Sequence, residues 1–366
     1  MREGRLVGLD VARCLALLGM VATHVLDERT PAGDLTFGQW LAGGRASALF
    51  AVLAGVSLAL MTRAHLRGAP LARRTAAIAA RALLIAVLGL VLGGLDTGLA
   101  IILTYYGVLF LLGLPFTLLG ARALAVLAVA WVVAAPVASY LLRPVLPPRG
   151  YESPTFGQLA DPGQLASELL FTGYYPVVPW LAYLLAGLAL GRADLRNRTL
   201  LVSLTLGGLG VAVLATQVSR ALVDPVVASR NATGMFGNTP TDDWSWLLVV
   251  APHSSTPLDL AQTIGSAVFV IGLCLLVERA LPRPATVVLA VVFGAGAMTL
   301  SLYSLHVVMR TPEVWPRESP DTYLTHVVVL LVIGAAYALL RRRGPLETAV
   351  GVPLQWARRD AIPTER

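Results

Sequence analysis

The 366-residue chain contains no lysine; its 28 basic residues are all arginine. It has only two cysteines, Cys14 and Cys274, and both lie inside apolar runs. That excludes a disulfide framework and a cysteine-rich metal site, and leaves two small buried hydrophobes. Charged residues make up 13% of the chain, against about 25% in soluble domains, so an ordinary soluble protein is excluded. The short basic start "MREGR" could head a signal peptide. However, Asp10 and Arg13 interrupt the apolar run that follows, and no small-residue cleavage site comes after it. The run is read as a first membrane helix. No strong internal repeat is present, which weighs against an inverted-repeat transporter. An all-arginine chain rich in Ala, Gly and Leu points to a high-GC bacterial genome.

What is present is apolar sequence: 56% of residues are hydrophobic and the mean hydropathy is +0.73. It falls into ten runs, at about 8–26, 46–62, 76–95, 98–119, 121–142, 174–191, 199–220, 259–280, 286–309 and 323–341. Each approaches the ~20 residues that cross ~30 Å of hydrocarbon. The expected fold is an all-α polytopic bundle of about ten transmembrane helices, forming one domain over 1–343 with a tail at 344–366.

Charge then sets orientation. Arg2 and Arg5, then Arg63, Arg67, Arg73 and Arg74, Arg122, Arg192, Arg196 and Arg198, Arg279 and Arg283, and finally Arg341, Arg342 and Arg343 fall on alternate connections. The other connections hold Asp27, Glu28, Asp34, Asp96, Glu152, Asp161, Asp224, Asp242, Asp243, Glu313, Glu318 and Asp321. Arginine favours the cytoplasmic side, so both termini are expected there, in a bacterial cytoplasmic membrane. This topology accounts for the net charge of +7 without nucleic acid as a partner. Two long outer connections, about 143–173 and 221–258, carry Pro, Gly, Tyr and Trp and read as folded caps.

Within the first run, Asp10, Arg13, Leu17, Met20 and His24 are spaced 3, 4, 3, 4 and share one helical stripe. Asp10 and Arg13 can pair at i,i+3. Arg13 and His24 lie roughly 16 Å apart along the axis, which puts Arg13 in the inner half and His24 near the outer mouth. A structural ion pair with an interfacial histidine would explain these residues. Ionisable groups inside a membrane are nevertheless functional candidates, and the stripe is expected to face a polar cavity.

Arg13, ten residues, then His24 resembles the R-x10-H pattern of type 3 membrane acyltransferases. The longer "RLVGLDVARCLALLGM" is similar to the first helix of the heparan-α-glucosaminide N-acetyltransferase family and related YeiB-like bacterial proteins. "GRASALFAVLAGVSLAL", "YPVVPWLAYLLAGLALGR", "APHSSTPLDLAQTIGSAV", "GAGAMTLSLYSLHVV" and "RRRGPLETAV" follow in the family's order. The resemblance implies a membrane-embedded enzyme that takes acetyl, or another acyl group, from cytoplasmic acetyl-CoA. It delivers that group to a glycan or other small acceptor outside. In the glucosaminide enzymes Asn stands at the position of His24 and the catalytic histidine lies in the next loop. Here that loop, "VLDERTPAGDLTFGQW", has none. His24 thus follows the type 3 pattern while the framework resembles the other family, and His24, alone or together with His306, is the catalytic candidate the resemblance implies.

An imidazole suits acyl transfer as a base near neutral pH, or as the acyl carrier itself. Asp10 and Arg13 would then organise the helix and face the coenzyme's pantetheine arm. His306 and Tyr303 form a Tyr-x-x-His shared with the resembling families. His253 lies in an outer connection, His326 opens the last helix as a structural residue, and His65 is cytoplasmic. The outer histidines lack the short spacing of a metal pair, and no metal is expected. Arg45 and Ser47 start the second long helix and read either as acceptor ligands or as a plain helix start. Arg73, Arg74 and Arg81 read either as coenzyme phosphate ligands or as topology signals. Trp40, Tyr174, Tyr175, Trp180, Trp244 and Trp246 suit sugar stacking or an interfacial aromatic belt, and the sequon at Asn231 reads as coincidence. The rival class is a proton-coupled transporter or flippase using the Asp10/Arg13/His24 stripe as its path. Expected partners are the bilayer and the acceptor, and a homodimer is left open.

Overall fold

The computed structural model describes residues 5–62, 70–150, 153–312, 314 and 322–359. Among them the regular structure is helical, without a strand. The helices are α1 Val7–Val25, α2 Phe37–Ala42, α3 Arg45–Leu60, α4 Leu71–Gly93, α5 Leu103–Gly113, α6 Ala121–Leu142, α7 Pro162–Ser167 and α8 Val177–Arg192. There follow α9 Arg198–Leu222, α10 Pro225–Arg230, α11 Pro257–Ala280, α12 Arg283–Val292, α13 Thr299–Met309, α14 Thr322–Leu339, α15 Pro345–Ala349 and α16 Val352–Arg359. Starts follow capping chemistry. Asp161, Asp224 and Thr256 each precede a proline at the first helical position, and their side chains accept from Gln164, Val226 and Asp259 N–H.

Each of the ten apolar runs contains helix, but not all are single spans. Seven helices among the described residues are long and apolar enough to cross a bilayer, or eight if the pair Pro162–Thr172 and Val177–Arg192, bent by 51°, is one span. α5, α12 and α13 are shorter. The ninth run breaks at a 3-10 turn, Gly294–Ala297. There a side chain on Gly296 would collide with the Asp10 carbonyl of α1, and one on Gly294 with the Gly334 carbonyl of α14. Close approach to two neighbours, with poor helix formers to yield, explains the break.

The fourth run enters its helix late. Residues 98–102 are not helical, and side chains satisfy their backbone. Ser153 accepts from Ile101 N–H (2.8 Å) and donates to the Leu99 carbonyl (2.8 Å), and Tyr175 donates to the Ala100 carbonyl (3.2 Å). Irregular backbone within an apolar bundle persists only where protein or water supplies partners.

α8 is the buried axis, with nearly every residue from Val177 to Gly191 enclosed. α3 packs along it through Gly55 and Gly187, whose bare backbones meet. α4, α6, α9 and α14 turn leucines and valines outward, among them Leu83, Val129, Leu214 and Val332, as lipid requires.

The two ends of the bundle differ. At one, here called the arginine end, Arg192 bonds Thr62 and the Thr117 carbonyl, Arg279 bonds the Arg196 carbonyl, and Arg81 of α4 reaches the Val350 carbonyl. At the other, the histidine end, the long connections fold over the bundle. Arg29, Gln39, Arg143 and Arg149 each donate to a carbonyl within 229–239. His65, Arg63, Arg67, Glu152, Glu313, Glu318 and Asp321 lie outside the described residues.

Gly55→Leu is expected to destabilise the fold by about 1–3 kcal/mol or more through overpacking, read as a lower thermal midpoint in detergent. Gly210→Ala, a site with nothing within 4 Å, should leave the midpoint unchanged or slightly raised.

Candidate active site

Three helices bring three imidazoles into one line at the histidine end. His24 ends α1, His306 lies in the last turn of α13, and His326 lies in the first turns of α14. His24 Nδ1 is 3.0 Å from His306 Nε2, and His306 Nδ1 is 2.8 Å from His326 Nδ1. The His24 and His306 planes differ by 7°, with centroids 5.2 Å apart. At that N···N distance the rings lie edge to edge in one plane, as an in-plane N–H···N bond requires, and are not stacked face to face. His306 and His326 are both fully buried.

The far ends of the two helices that form the first bond are each held by a carboxylate. Glu278 of α11 accepts from Val7 and Gly8 N–H of α1 (2.9 and 2.8 Å). Glu347 accepts from Leu300 and Ser301 N–H of α13 (2.7 and 3.2 Å) and from the Ser301 hydroxyl. Each caps a helix N-terminus, where orphan donors and the helix dipole favour an anion.

Beside His24 opens a cavity of about 710 Å³. Its walls come from α1, α2, residues 93–101 and the folded connections, and include Glu28, Gln39, Asp96, Arg149, Tyr174 and His253. A narrow throat continues past His24 to Ser47, Tyr175 and Tyr303. The Arg149 guanidinium lies 5.5 Å from the Tyr174 ring centre and 5.6 Å from that of Phe236, a cation–π arrangement. His253 sits among Tyr174, Tyr175 and Trp180. Its backbone is left-handed (φ 57°), as are those of Phe236 (52°) and Ser255 (55°), each costing on the order of 1–3 kcal/mol. The turn is clamped in return: Gly237 N–H donates to the His253 carbonyl (2.7 Å), and buried Asp259 accepts from Ser255 N–H (3.2 Å). Burial, and next the charge His24 would carry, hold the His253 pKa down to about 4.

The residues singled out in the sequence separate into three places. His24, His253, Ser47 and Tyr303 border the throat, and His306 backs His24. Asp10 and Arg13 lie at the arginine end, where Asp10 accepts from Arg5 (2.6 Å) and Arg13 (2.7 Å), and Arg13 also donates to Ser57 (2.8 Å). Between them and His24, Leu17 and Met20 are packed away, so the stripe is two polar clusters joined by an apolar stretch and not a continuous polar face. Arg45 donates to the Trp40 carbonyl (2.5 Å) at the start of α3 and does not border the cavity. Arg73 lies 5.7 Å from the Trp356 ring centre, Arg74 follows it on α4, and Arg81 holds Val350. The chain's C-terminal helices thus cover this arginine group. Among the described residues no three His, Cys, Asp or Glu are grouped as a metal set.

Sequence reasoning missed Arg149, Arg310 and the non-helical stretch 98–102, which border the cavity or, at Ile102, its throat. Arg310 sits one turn after His306, a spacing that could have found it. Arg149 had no local signal.

Membrane-length helices around a histidine-floored cavity define a multi-pass membrane protein with a solvent-facing imidazole site. The family model for the heparan-alpha-glucosaminide N-acetyltransferase catalytic region matches residues 5–221, and the chain belongs to that family of membrane acetyltransferases. The match takes in His24, Ser47 and Arg149 and ends before His253, His306 and His326. No curated protein matches the chain.

Because His253 is neutral in the fold down to about pH 4 and ordinarily titrates at 6.5, the unfolded chain takes up its proton first. Stability should therefore fall as pH drops from 6.5 towards 4. His253→Asn, which tolerates the left-handed backbone and carries no charge, should flatten that part of a thermal-midpoint profile.

Proposed function

We propose that the protein moves an acetyl or other acyl group from acyl-CoA, supplied at the cytoplasmic arginine end, to a carbohydrate-like acceptor. The acceptor occupies the cavity at the outer, histidine end. The observation that carries this reading is His24: it borders the cavity in a chain of an acetyltransferase family, with its Nδ1 already engaged by His306. Its Nε2 is then the nitrogen left for substrate.

The chemistry balances at that atom. An acceptor hydroxyl or amine attacks the thioester carbonyl while His24 Nε2 removes its proton. The C–S bond breaks, and the coenzyme leaves as a thiolate that recovers a proton from the imidazolium. The same atom could instead attack the thioester and carry the acyl group to the acceptor. Aromatic walls at Tyr174, Tyr175 and Trp180 suit the apolar faces of a sugar ring, and Arg149, Gln39 and Glu28 suit its polar edge. On the donor side, Arg13, Arg73, Arg74 and Arg81 are the cations assigned to an incoming coenzyme's phosphates. Its pantetheine arm reaches His24 only if the Leu17–Met20 stretch parts from its neighbours. The bilayer and the acceptor are the partners this requires, and both termini are cytoplasmic.

The test uses the full chain in proteoliposomes with labelled acetyl-CoA and glucosamine as the probe acceptor. Wild type should release coenzyme thiol and acetylate the probe, and His24→Ala should lower the rate by about 10²–10⁴-fold with an unchanged thermal midpoint. A wild-type rate in that variant would overturn the role of His24. Leu159→Cys, 54% exposed at the histidine end, should react with an impermeant thiol reagent from outside intact cells, and Arg343→Cys should not. The reverse pattern overturns the orientation.

A further inference from the structure

A ring-to-ring hydrogen bond between imidazoles uses one donor nitrogen and one acceptor nitrogen. Two such bonds through His306 leave only two arrangements of protons for three neutral rings. In one, His326 Nδ1 donates to His306 Nδ1 and His306 Nε2 donates to His24 Nδ1. His24 then carries its proton on Nε2 and has no lone pair for the cavity. In the other the direction reverses: His24 Nδ1–H donates to His306 Nε2, and His306 Nδ1–H donates to His326 Nδ1. Only then is His24 Nε2 a free base. The direction at His24 is therefore coupled to the proton position on His326, two rings away and fully buried.

We propose that His326 is a positioning residue: by accepting from His306 Nδ1–H, it fixes His24 in the tautomer whose Nε2 lone pair faces the cavity. The inference rests on the acyl-transfer reading for its use, but the tautomer is a property of the resting protein. His306 stands where a carboxylate holds the histidine of a hydrolase triad, and a neutral ring there orients without adding charge. When Nε2 takes the acceptor's proton, the Nδ1–H of His24 is already bonded. The imidazolium forms against a fixed acceptor, and the proton returns from Nε2 to the departing thiolate.

The geometry restricts what can replace His326. Gln offers an amide oxygen that can accept from His306 Nδ1–H; Leu fills space and accepts nothing. With Leu there, His306 Nδ1 loses the acceptor that His326 supplies. His306 is free to carry its proton on Nε2 and donate to His24, which turns His24 the wrong way round.

The experiment is solid-state NMR of full-length protein labelled with ¹⁵N-histidine in lipid vesicles, with His24 assigned by its loss in His24→Ala. Wild type should show His24 protonated at Nδ1 and bare at Nε2, and His326→Gln should keep that pattern. His326→Leu should move the proton to Nε2. In parallel, kcat for coenzyme release with glucosamine should fall about 10–100-fold in His326→Leu, with KM within about twofold, and stay near wild type in His326→Gln. A wild-type His24 protonated at Nε2 overturns the inference without any variant. So does His326→Leu with an unchanged spectrum and kcat. If wild type consumes no acetyl-CoA, the functional reading fails while the spectrum still decides the tautomer.

Discussion

The hydrogen bond between His24 and His306 joins helices of unequal length, and much of the bundle serves to keep them in register. α1 has 19 residues and α13 has 11, so their far ends cannot meet the same neighbours. Each is instead tied by its own carboxylate, Glu278 or Glu347, to two backbone N–H groups. Charge-assisted bonds of this kind contribute about 1.5–3 kcal/mol each, and they act along the helix axis, the direction in which slippage would part the imidazoles. The contact of Gly296 with the Asp10 carbonyl sets the sideways spacing. The break in the ninth run thus helps set the spacing between α1 and α13.

A second constraint is polar satisfaction. The cavity is walled by backbone that is neither helix nor sheet, and such backbone is costly inside an apolar bundle. Ser153, Tyr175 and the arginines reaching into 229–239 meet that need, so the folded connections stabilise the wall as well as shape it. Three left-handed residues in these connections show how tightly the surroundings determine the path.

The α-helical class, the position of the ten apolar runs and the family were legible in the sequence, because length and polarity dominate membrane segments. The breaks were not. Ala-, Leu- and Gly-rich runs have nearly uniform helix preference, and what ends the helix before Ile102 is a set of partners distant in the chain, Ser153, Tyr175 and Tyr303. The spacing of Asp10, Arg13 and His24 was read as one polar face. The stripe is real on the helix, but Leu17 and Met20 belong to the packing, and only neighbours on other helices could reveal it. His326 read as structural for the same reason: a lone histidine at a helix start says nothing of the ring 2.8 Å away.

That apolar stretch of α1 has an electrical meaning. Arg13 and His24 are separated by roughly 16 Å along the axis, about half of ~30 Å of hydrocarbon. The cavity reaches His24 from one side, and the tightly packed Leu17 and Met20 stand between it and Arg13. Across a whole membrane an elementary charge exchanges ~2.3 kcal/mol per 100 mV, and a charge crossing this stretch exchanges the share that falls there. On the proposed acyl-transfer reading, charge moving between the levels of Arg13 and His24 is then exposed to that share of the membrane potential.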